Sequence, residues 1–381
     1  MYKAHDREIK MEPIRVLNLF TIMNRGGAET MVMNYYRNID RTKVQFDFLV
    51  HRQERGAYED EIESLGGKIY RMIPIYPQNF SKYKKMLHQF FSEHKEYKII
   101  HSHMSELGYF AFKEAKEQGI PVRICHAHNA PQGWDMKMVM RTYFKKKMIP
   151  YLTHMFTCGT ESARWLYGPQ YEDQFIQLNN AIDAEKFRYN IEKEKQVRKE
   201  LELDDRLVIG HVGRFHKQKN HEFLIDIFYE IQKIRPDAVL LLIGNGDLED
   251  KIKEKIRKKH LESCVKFLGL RSDVNKLMQC FDVFLFPSLF EGLGIVLIEA
   301  QAAGAPCITS EKVVPKEAKV SSLLHYFSLK KTEREWAMEV FNILNHENSK
   351  KDMCQVIRTA HYDINDNASW LERFYINVCQ K

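Results

Sequence analysis

The stretch FDVFLFPSLFEGLGIVLIEAQAAGAPCITS, residues 281–310, decides the predicted fold. It opens with a continuous apolar run, which is typical of a buried strand in a parallel sheet. Pro287 ends that strand, residues 295–303 have helical composition, and Gly304 suits the end of a helix. Residues 305–309 then predict a second buried strand. This β-loop-α-β unit places its loop at the carboxyl end of a strand, where open α/β sheets bind ligands.

Two glutamates in this unit are costly unless they have a use. Glu299 lies inside an otherwise apolar helix, where an unpaired carboxylate is unfavourable. Glu291 precedes that helix beside glycines that let a ligand approach the backbone, and a helix N-terminus attracts anions. The two acids could hold two separate hydroxyl groups. Alternatively, Glu291 is a solvated loop acid and Glu299 is paired with a basic residue, and the spacing alone does not choose between these interpretations.

The segment FEGLGIVLIEAQAAGAP, in which seven residues separate Glu291 from Glu299, resembles the glutamate pair of retaining glycosyltransferases of family 4. Further motifs of that family follow in order over nearly the whole chain, and the likeness extends to bacterial enzymes of capsule and exopolysaccharide assembly. The resemblance implies an α/β protein of the GT-B fold, with two Rossmann-like domains facing a central cleft. It also implies that the second domain holds most of the donor.

Length and composition agree with a two-domain enzyme. A chain of 381 residues is long for a single hydrophobic core. The net charge of +7 fits several kinds of anionic partner and selects none of them. The seven cysteines are scattered without a CxxC pair, which indicates reduced thiols and a cytoplasmic protein. The N-terminal residues 1–14 lack the apolar segment of a signal peptide, and no run is long enough to cross a bilayer.

Residues 177–187, QLNNAIDAEKF, resemble the segment that joins the two domains in this family. The match is imperfect, because Leu178 replaces the usual proline and either Asn180 or Ala181 replaces the glycine. The chain is therefore predicted to form an N-terminal acceptor-side domain over residues 1–181, a nucleotide-sugar-binding domain over residues 182–360, and a terminal helix over residues 361–381 that packs back on the first domain.

A glycine pair, Gly26 and Gly27, lies between a predicted strand over residues 15–20 and a predicted helix over residues 30–39. Such a pair lets a phosphate or sugar come close to the backbone, or it simply forms a tight turn. The resemblance favours the first interpretation, since it implies that this segment faces the donor phosphates and the acceptor.

Two His-x-His pairs follow two further predicted strands: His101 with His103, and His126 with His128. Paired histidines suggest zinc. However, alternate side chains share a direction only in an extended segment, and no cysteine or carboxylate set completes a site, so no metal is predicted. The resemblance implies that a histidine after the later strand lies near the reacting sugar and the acceptor. Either His126 or His128 holds that position.

In GRFHKQKN, residues 213–220, Arg214 and Lys219 are the clearest cations in a loop between a strand and a helix. They could be two surface cations without a function, but the resemblance implies that they hold the donor diphosphate. Fixed cations stabilise the charge that develops on a departing diphosphate. They would also explain the absence of an Asp-x-Asp metal motif. The predicted reaction is therefore metal-independent and uses no cofactor.

The remaining donor contacts also follow from the resemblance. Glu299 would hold the ribose of a UDP- or GDP-linked sugar, and Glu291 would fix the donor sugar together with backbone N–H groups. The donor-binding positions, besides Glu299, are predicted at Gly26, Gly27, Gly213, Gly244, Leu270, Gly292, Leu293, Gly294 and Ile295.

These expectations describe a retaining glycosyltransferase of the hexosyltransferase type. It would move a sugar from a nucleotide sugar to the hydroxyl of a saccharide or lipid-linked saccharide in cell-surface polysaccharide biosynthesis. A nucleotide-sugar epimerase or hydrolase of the same fold would form no transfer product, and a non-catalytic carbohydrate-binding protein would tolerate loss of Arg214 and Lys219. A dinucleotide oxidoreductase is disfavoured, because no G-x-G-x-x-G motif follows a strand with an acid about twenty residues on.

A basic segment over residues 136–152 mixes cations with apolar side chains. This composition suits either an amphipathic surface against anionic lipid or a solvated helix face. Lys82, Lys84 and Lys85 form a second basic cluster. Because family members often take lipid-linked acceptors, we expect peripheral contact with the inner face of the cell membrane and no nucleic-acid partner. The cations of the first segment are Arg141, Lys145, Lys146 and Lys147.

Overall fold

The computed structural model describes residues 12–128, 137–346 and 349–380. The chain forms two compact units, Met1–Ala181 with Ile364–Lys381, and Ile182–Asp363. The first eleven residues, on which most of the signal-peptide prediction rests, lie outside the described part of the chain.

The first unit is built on a parallel sheet in which seven strands are described, in the order β3-β2-β1-β4-β5-β6-β7. The strands are β1 (Ile14–Phe20), β2 (Val44–Val50), β3 (Ile69–Arg71), β4 (Ile99–Ser102), β5 (Val122–Ala127), β6 (His154–Thr157) and β7 (Phe175–Gln177). The helices are α1 (Gly27–Asn38), α2 (Glu59–Ser64), α3 (Phe80–Glu93), α4 (Tyr109–Glu117), α5 (Lys137–Met148) and α6 (Thr160–Tyr167).

The second unit repeats this arrangement with six described parallel strands, in the order β10-β9-β8-β11-β12-β13. The strands are β8 (Val208–Val212), β9 (Val239–Ile243), β10 (Val265–Gly269), β11 (Val283–Phe286), β12 (Cys307–Ser310) and β13 (Leu324–Phe327). The helices are α7 (Ala184–Phe187), α8 (Ile191–Glu200), α9 (His221–Ile234), α10 (Glu249–Lys258), α11 (Val274–Leu277), α12 (Ile295–Ala302), α13 (Glu333–His346) and α14 (Cys354–Thr359).

Both sheets are covered by apolar side chains on both faces, which explains why their strands read as continuous hydrophobic runs. In β8, Val208 and Ile209 belong to two different core clusters because successive side chains point to opposite faces. Val16 and Leu17 divide in the same way in β1. Each unit is therefore a Rossmann-like layer structure with its own double-sided core.

The strand order reverses at one place in each sheet. In the first unit the reversal lies between β1 and β4, and in the second it lies between β8 and β11. Open α/β sheets bind ligands at such switch points, beyond the carboxyl ends of the strands. The loops that follow these four strands are therefore the places where function is expected.

The last helix, α15 (Ile364–Gln380), belongs to the first unit. Ala368, Leu371 and Tyr375 are buried in the same core cluster as β1 and β2. The helix begins at Ile364, later than the predicted boundary at residue 361, because Asp363 is bonded within the second unit. Its side chain accepts from the Ala184 amide at 3.1 Å.

Two short strands were not predicted. β7 and β13 are the outermost strands on one side of their sheets. The glycine pair also differs from expectation, because α1 begins at Gly27, so that Gly26 is the residue preceding the helix. The pair thus forms the start of a helix rather than a free loop before it.

The basic segment forms α5, and residue 136 lies outside the described residues. Lys145 donates to the Trp165 carbonyl at 2.6 Å, and Arg141 lies 3.6 Å from Glu106. Lys146 and Lys147 are exposed. Across the described residues, none of the helices has the length and apolar character that crossing a bilayer requires.

Candidate active site

The two loops at the switch point of the second unit are bonded to each other. The Leu289 amide donates to the Gln218 carbonyl at 2.8 Å, and the Gln218 side chain donates to the Phe290 carbonyl at 2.9 Å. Asn220, in a left-handed conformation, donates from its side chain to the Pro287 carbonyl at 3.1 Å. The loops after β8 and β11 therefore form one continuous surface.

Lys219 and Glu291 form an ion pair across this loop junction. Lys219 Nζ lies 2.6 Å from Glu291 Oε1, and the two side chains are only 16% and 6% exposed. The ammonium also lies 4.5 Å from the centre of the Phe286 ring, whose face attracts cations. Both residues were predicted for this site, but their pairing was not. The loop acid, which one interpretation took to be solvated, is the one that has a basic partner.

Arg214 lies in the same loop as Lys219 and is open to solvent. Its side chain is 69% exposed, and its guanidinium is 3.8 Å from Asp247, which is itself exposed. An exposed pair at this separation contributes little binding energy. The guanidinium N–H groups of Arg214 therefore remain accessible to an anionic ligand.

Gly213 and Gly244 allow two neighbouring loops to approach closely. A Cβ on Gly244, where φ is +136°, would lie 2.2 Å from the Gly213 carbonyl oxygen. The Gly244 amide donates to the Gly269 carbonyl at 2.9 Å, and Leu270 follows with a largely exposed side chain. Gly244 thus has a structural reason independent of any ligand, while a Cβ on Gly213 would lie 3.1 Å from both His211 Nε2 and Lys219 Cγ.

The loop carrying Gly292 and Leu293 leads directly into α12. Gly294 is the residue preceding this helix and has φ of +74°, a conformation that favours glycine. The first amides of a helix, from Ile295 onward here, have no carbonyl partners within the helix. Glu291 and these amides therefore lie on one short segment at the end of β11.

Glu299 lies in the middle of α12 and is partly exposed. Within the described residues, its carboxyl has no hydrogen bond or ion pair, unlike that of Glu291. Burial of the group raises the pKa of Glu299 to about 7. The interpretation in which a basic residue neutralises Glu299 is therefore wrong for the described part of the chain.

At the switch point of the first unit, the glycine pair opens α1. A Cβ on Gly26 would lie 2.3 Å from Glu29 Oε2, whereas a Cβ on Gly27 would meet nothing within 4 Å. Burial raises the pKa of Glu29. The Glu29 carboxylate is the end of a flexible side chain that can move away, so this contact does not require glycine at position 26, and open space adjoins Gly27.

The two His-x-His pairs converge at the ends of β4 and β5. The rings of His126 and His128 stack with centres 4.3 Å apart, and those of His101 and His103 stack at 4.4 Å. His103 Nδ1 lies 2.8 Å from His128 Nε2, and His101 Nδ1 lies 2.7 Å from the Tyr375 hydroxyl of α15. Four histidines therefore form one cluster, of which His126 is completely buried and His128 is partly exposed.

Cys158, the residue after β6, completes this cluster. Its sulfur lies 3.4 Å from His126 Nε2 and 3.2 Å from His128 Nδ1. The argument against a metal site, that no cysteine accompanies the histidines, is therefore wrong. The sequence could not reveal that Cys158 adjoins the histidines, because it lies thirty positions after His128 and only the pairing of β5 with β6 brings the two together.

Burial keeps all four imidazoles neutral near pH 7. It lowers the pKa of His128 to about 4 and that of His101 to about 3. It also lowers the pKa of His103 and His126 well below their usual range, with repulsion from neighbouring rings acting in the same direction. At His126, the backbone of Leu178 acts in the opposite direction and raises the pKa. A neutral ring donates one hydrogen bond and accepts another, so these residues suit positioning better than proton donation.

Residues 129–131, which follow His128 in the segment HAHNAP, lie outside the described residues. Asn18, at the neighbouring strand β1, was missed. Its side-chain oxygen lies 3.4 Å from His103 Nε2, so it orients the ring at one edge of the cluster. A buried asparagine within the apolar strand RVLNLF was the available signal for a polar network.

Both units match families of known proteins. A family described as Glycosyltransferase Family 4 matches residues 25–185, and one described as Glycosyl transferases group 1 matches residues 192–354. EpsF of Bacillus subtilis, which is named as a glycosyltransferase, is 36% identical over 370 residues, covering 95% of this chain and 96% of EpsF.

Two further likenesses extend over most of the chain. The UDP-Gal:alpha-D-GlcNAc-diphosphoundecaprenol alpha-1,3-galactosyltransferase of Escherichia coli is 28% identical over 325 residues, covering 81% of each chain. The crystal structure of HepE from Anabaena in complex with UDP has a TM-score of 0.69 at 18% identity, covering 96% of this chain and 97% of HepE. This last likeness supports the fold.

Replacing Lys219 with Met is expected to lower the free energy of unfolding by about 3 kcal/mol, because it leaves a buried carboxylate unpaired. The double variant Lys219→Met/Glu291→Gln should recover most of that loss. Urea unfolding at pH 7 measures both. Lys233→Met is the matched control, since its pair with Glu230 also spans 2.6 Å but its own side chain is 50% exposed. Equal losses in the two lysine variants would contradict a special role for burial.

Replacing Glu299 with Gln is expected to stabilise the protein increasingly as pH rises. The folded-state pKa of about 7 lies above the ordinary value of 4.5, so the wild type loses stability as pH rises through that window. The gain in Glu299→Gln should reach at most about 3 kcal/mol between pH 5 and pH 8, measured by urea unfolding. Glu262→Gln, at an exposed glutamate, is the control. A difference from wild type that does not change with pH would refute the raised pKa.

Proposed function

The chain belongs to the group 1, family 4 glycosyltransferases of the GT-B fold, and from that premise we propose a retaining transfer of a sugar from a nucleotide sugar to an acceptor hydroxyl. The observation that carries the proposal is the buried Lys219–Glu291 pair at the switch point between β8 and β11. Arg214 adds an accessible positive charge in the same loop. Cations and an acid at this edge suit a ligand that carries both phosphates and hydroxyl groups.

In this proposal Arg214 and Lys219 stabilise the departing nucleoside diphosphate. Lysine has three N–H donors, and the pair with Glu291 uses one of them, so that two remain for phosphate oxygens. Arg214 offers a planar set of donors that matches phosphate geometry. Because the protein itself supplies both positive charges, the reaction would proceed without a metal ion.

Glu299 and Glu291 divide the remaining donor contacts. A carboxyl without a protein partner accepts hydrogen bonds from two vicinal hydroxyls, so Glu299 is assigned to the ribose. Those hydroxyl donors would favour its ionised form and bring its pKa down again. Glu291 and the first amides of α12 are assigned to the donor sugar, and Leu270 to the edge of the base. The UDP-Gal donor named for the E. coli relative and the UDP bound by HepE support a uridine nucleotide.

No side chain is assigned as a covalent nucleophile. His126 and His128 are neutral, so they are proposed to orient the donor and acceptor by hydrogen bonds. The leaving phosphate itself would accept the proton of the acceptor hydroxyl, which keeps attack and departure on the same face of the sugar and retains its configuration.

The acceptor is proposed to be lipid-linked, as the name of the E. coli relative states for that enzyme. A stripe along α5 supports contact with an anionic membrane surface: Val139 and Tyr143 are 68% and 55% exposed, and Lys146 and Lys147 continue the same face. Exposed apolar groups beside lysines are typical of helices that lie at the lipid headgroups. Arg141 and Lys145 do not contribute, because they contact groups within the first unit.

Replacing Arg214 with Ala is expected to lower kcat/KM by on the order of 100-fold without changing stability, because it removes an exposed charge that stabilises the leaving group. The assay is transfer from a UDP-sugar to an undecaprenyl-diphosphate saccharide. Arg235→Ala, at an exposed arginine paired with Asp237, should retain wild-type activity. Wild-type turnover should also persist in EDTA. Normal turnover by Arg214→Ala, or a strict need for Mg²⁺ or Mn²⁺, would refute the cation assignment, and hydrolysis without transfer would refute the reaction.

Replacing Lys146 and Lys147 together with Ala is expected to weaken binding to phosphatidylglycerol vesicles roughly thirtyfold, at about 1 kcal/mol per lysine. Co-sedimentation at low salt measures the binding. The control is Lys251→Ala/Lys258→Ala on α10 of the second unit, where both lysines are exposed. Equal vesicle binding by the two double variants would show that α5 is not the contact surface.

A further inference from the structure

Three side chains that are good ligands for soft metal ions meet at the carboxyl ends of β5 and β6. Strand pairing aligns Ala127 with Thr157, so the next residues, His128 and Cys158, leave the sheet side by side. His126, two residues before His128, lies on the same side of the sheet as His128 because alternate residues of a strand share a face. The ligating atoms of His126, His128 and Cys158 all lie within 4.8 Å of one another.

The hydrogen-bond network fixes where the lone pair of His128 points. The side-chain nitrogen of Asn18 donates to two backbone carbonyls, at 3.3 and 3.5 Å, so its oxygen faces His103 Nε2. That oxygen only accepts, so His103 Nε2 carries the hydrogen and His103 Nδ1 accepts from His128 Nε2. The remaining nitrogen of His128, Nδ1, therefore directs a lone pair at the Cys158 sulfur. Such an outer network is what orients histidine ligands in metal sites.

The Cys158 sulfur faces two ring nitrogens, His126 Nε2 at 3.4 Å and His128 Nδ1 at 3.2 Å. Without an ion, the thiol hydrogen can be donated to His128 Nδ1, and the sulfur can accept from His126 Nε2 when that nitrogen carries the ring hydrogen. Met31 Sδ lies 3.5 Å from the same sulfur. A cation at the centre of the trio would replace the single hydrogen and accept a lone pair from each ligand.

The spacing agrees with a small tetrahedral ion. With the tetrahedral angle between them, zinc bonds of about 2.0 Å to nitrogen and 2.3 Å to sulfur separate the two ligand atoms by about 3.5 Å. The measured separations, 3.4 and 3.2 Å, require shifts of only a few tenths of an ångström. The trio contains imidazole and thiol but no carboxylate, which suits zinc and not magnesium or calcium. Partial exposure of His128 and Cys158 gives an ion a route to the buried His126.

A second compact trio, His101, His103 and His126, is a weaker candidate. His101 Nδ1 is engaged by the Tyr375 hydroxyl, and both nitrogens of His103 have partners in the network described above. An ion bound to this second trio would break hydrogen bonds of His103 that an ion bound to His126, His128 and Cys158 would leave intact.

We propose that His126, His128 and Cys158 bind one zinc ion through Nε2, Nδ1 and the sulfur, with water in the fourth position. Binding forms a Zn–S bond, breaks the S–H bond and releases one proton to solvent. Three protein ligands with one open position also leave room for an exchangeable oxygen ligand. A bound ion would compete with the proposed role of both rings in sugar transfer. Because zinc binding is measured without substrate, its failure would be distinguishable from failure of the proposed function.

The test is a titration of chelator-treated, reduced full-length protein with Co²⁺, followed by displacement with Zn²⁺ in the presence of a chromophoric chelator. One ion per chain is expected, with a thiolate-to-cobalt charge-transfer band that zinc abolishes. Cys158→Ser should remove that band, and Cys158→Ser and His128→Ala should each weaken zinc binding at least 100-fold. His103→Ala, which removes only the orienting ring, should weaken it about tenfold. Cys379→Ser and His88→Ala, outside the cluster, are matched controls and should bind as wild type.

The spectrum of the unaltered protein is decisive even where a variant fails to fold. Absence of a charge-transfer band in the wild type would overturn the proposal. So would zinc affinity that is the same in Cys158→Ser as in Cys379→Ser. Zinc binding weakened equally in Cys158→Ser, His128→Ala and the two controls, Cys379→Ser and His88→Ala, would mark adventitious sites and would also overturn it.

Discussion

The ion pair between Lys219 and Glu291 is the constraint on which the second unit's site depends. Two nearly buried opposite charges are poor contributors to stability, because desolvation offsets most of their attraction. Their arrangement nevertheless requires the loops after β8 and β11 to close on each other through backbone and side-chain hydrogen bonds. The pair therefore sets two nearly buried charged groups at the junction of the loops, beside the exposed guanidinium of Arg214.

The two units use the same strand order for different chemistry. At its switch point the second unit presents a lysine, an arginine and two acids, whereas the first presents glycines and uncharged imidazoles. The first set suits a charged donor, and the second suits hydroxyl groups that need orientation more than charge. The two units thus share one backbone architecture, and the side chains at each switch point determine what that surface can hold.

Much of the fold could be predicted from the sequence because the buried strands of a parallel sheet form continuous apolar runs, and β8, β9 and β11 are such runs. β7 and β13 were missed because edge strands of three or four residues carry little pattern. Arg214, Lys219, Glu291 and Glu299 were predicted for the site through spacing and family likeness, and their roles stay predictions. Which glutamate has a partner was not readable, since that depends on how two loops meet. Cys158 and Asn18 were missed for the same reason, because strand pairing and not sequence distance makes them neighbours of the histidines.

The Tyr375 hydroxyl that engages His101 belongs to the last helix, although it lies in the core of the first unit. The second unit is one unbroken length of chain and can close as soon as it leaves the ribosome. The first must wait for its final segment, so during synthesis its histidine cluster and the adjoining face of the sheet stay uncovered. Of the two units, the one whose synthesis starts first is therefore the one whose core is completed last.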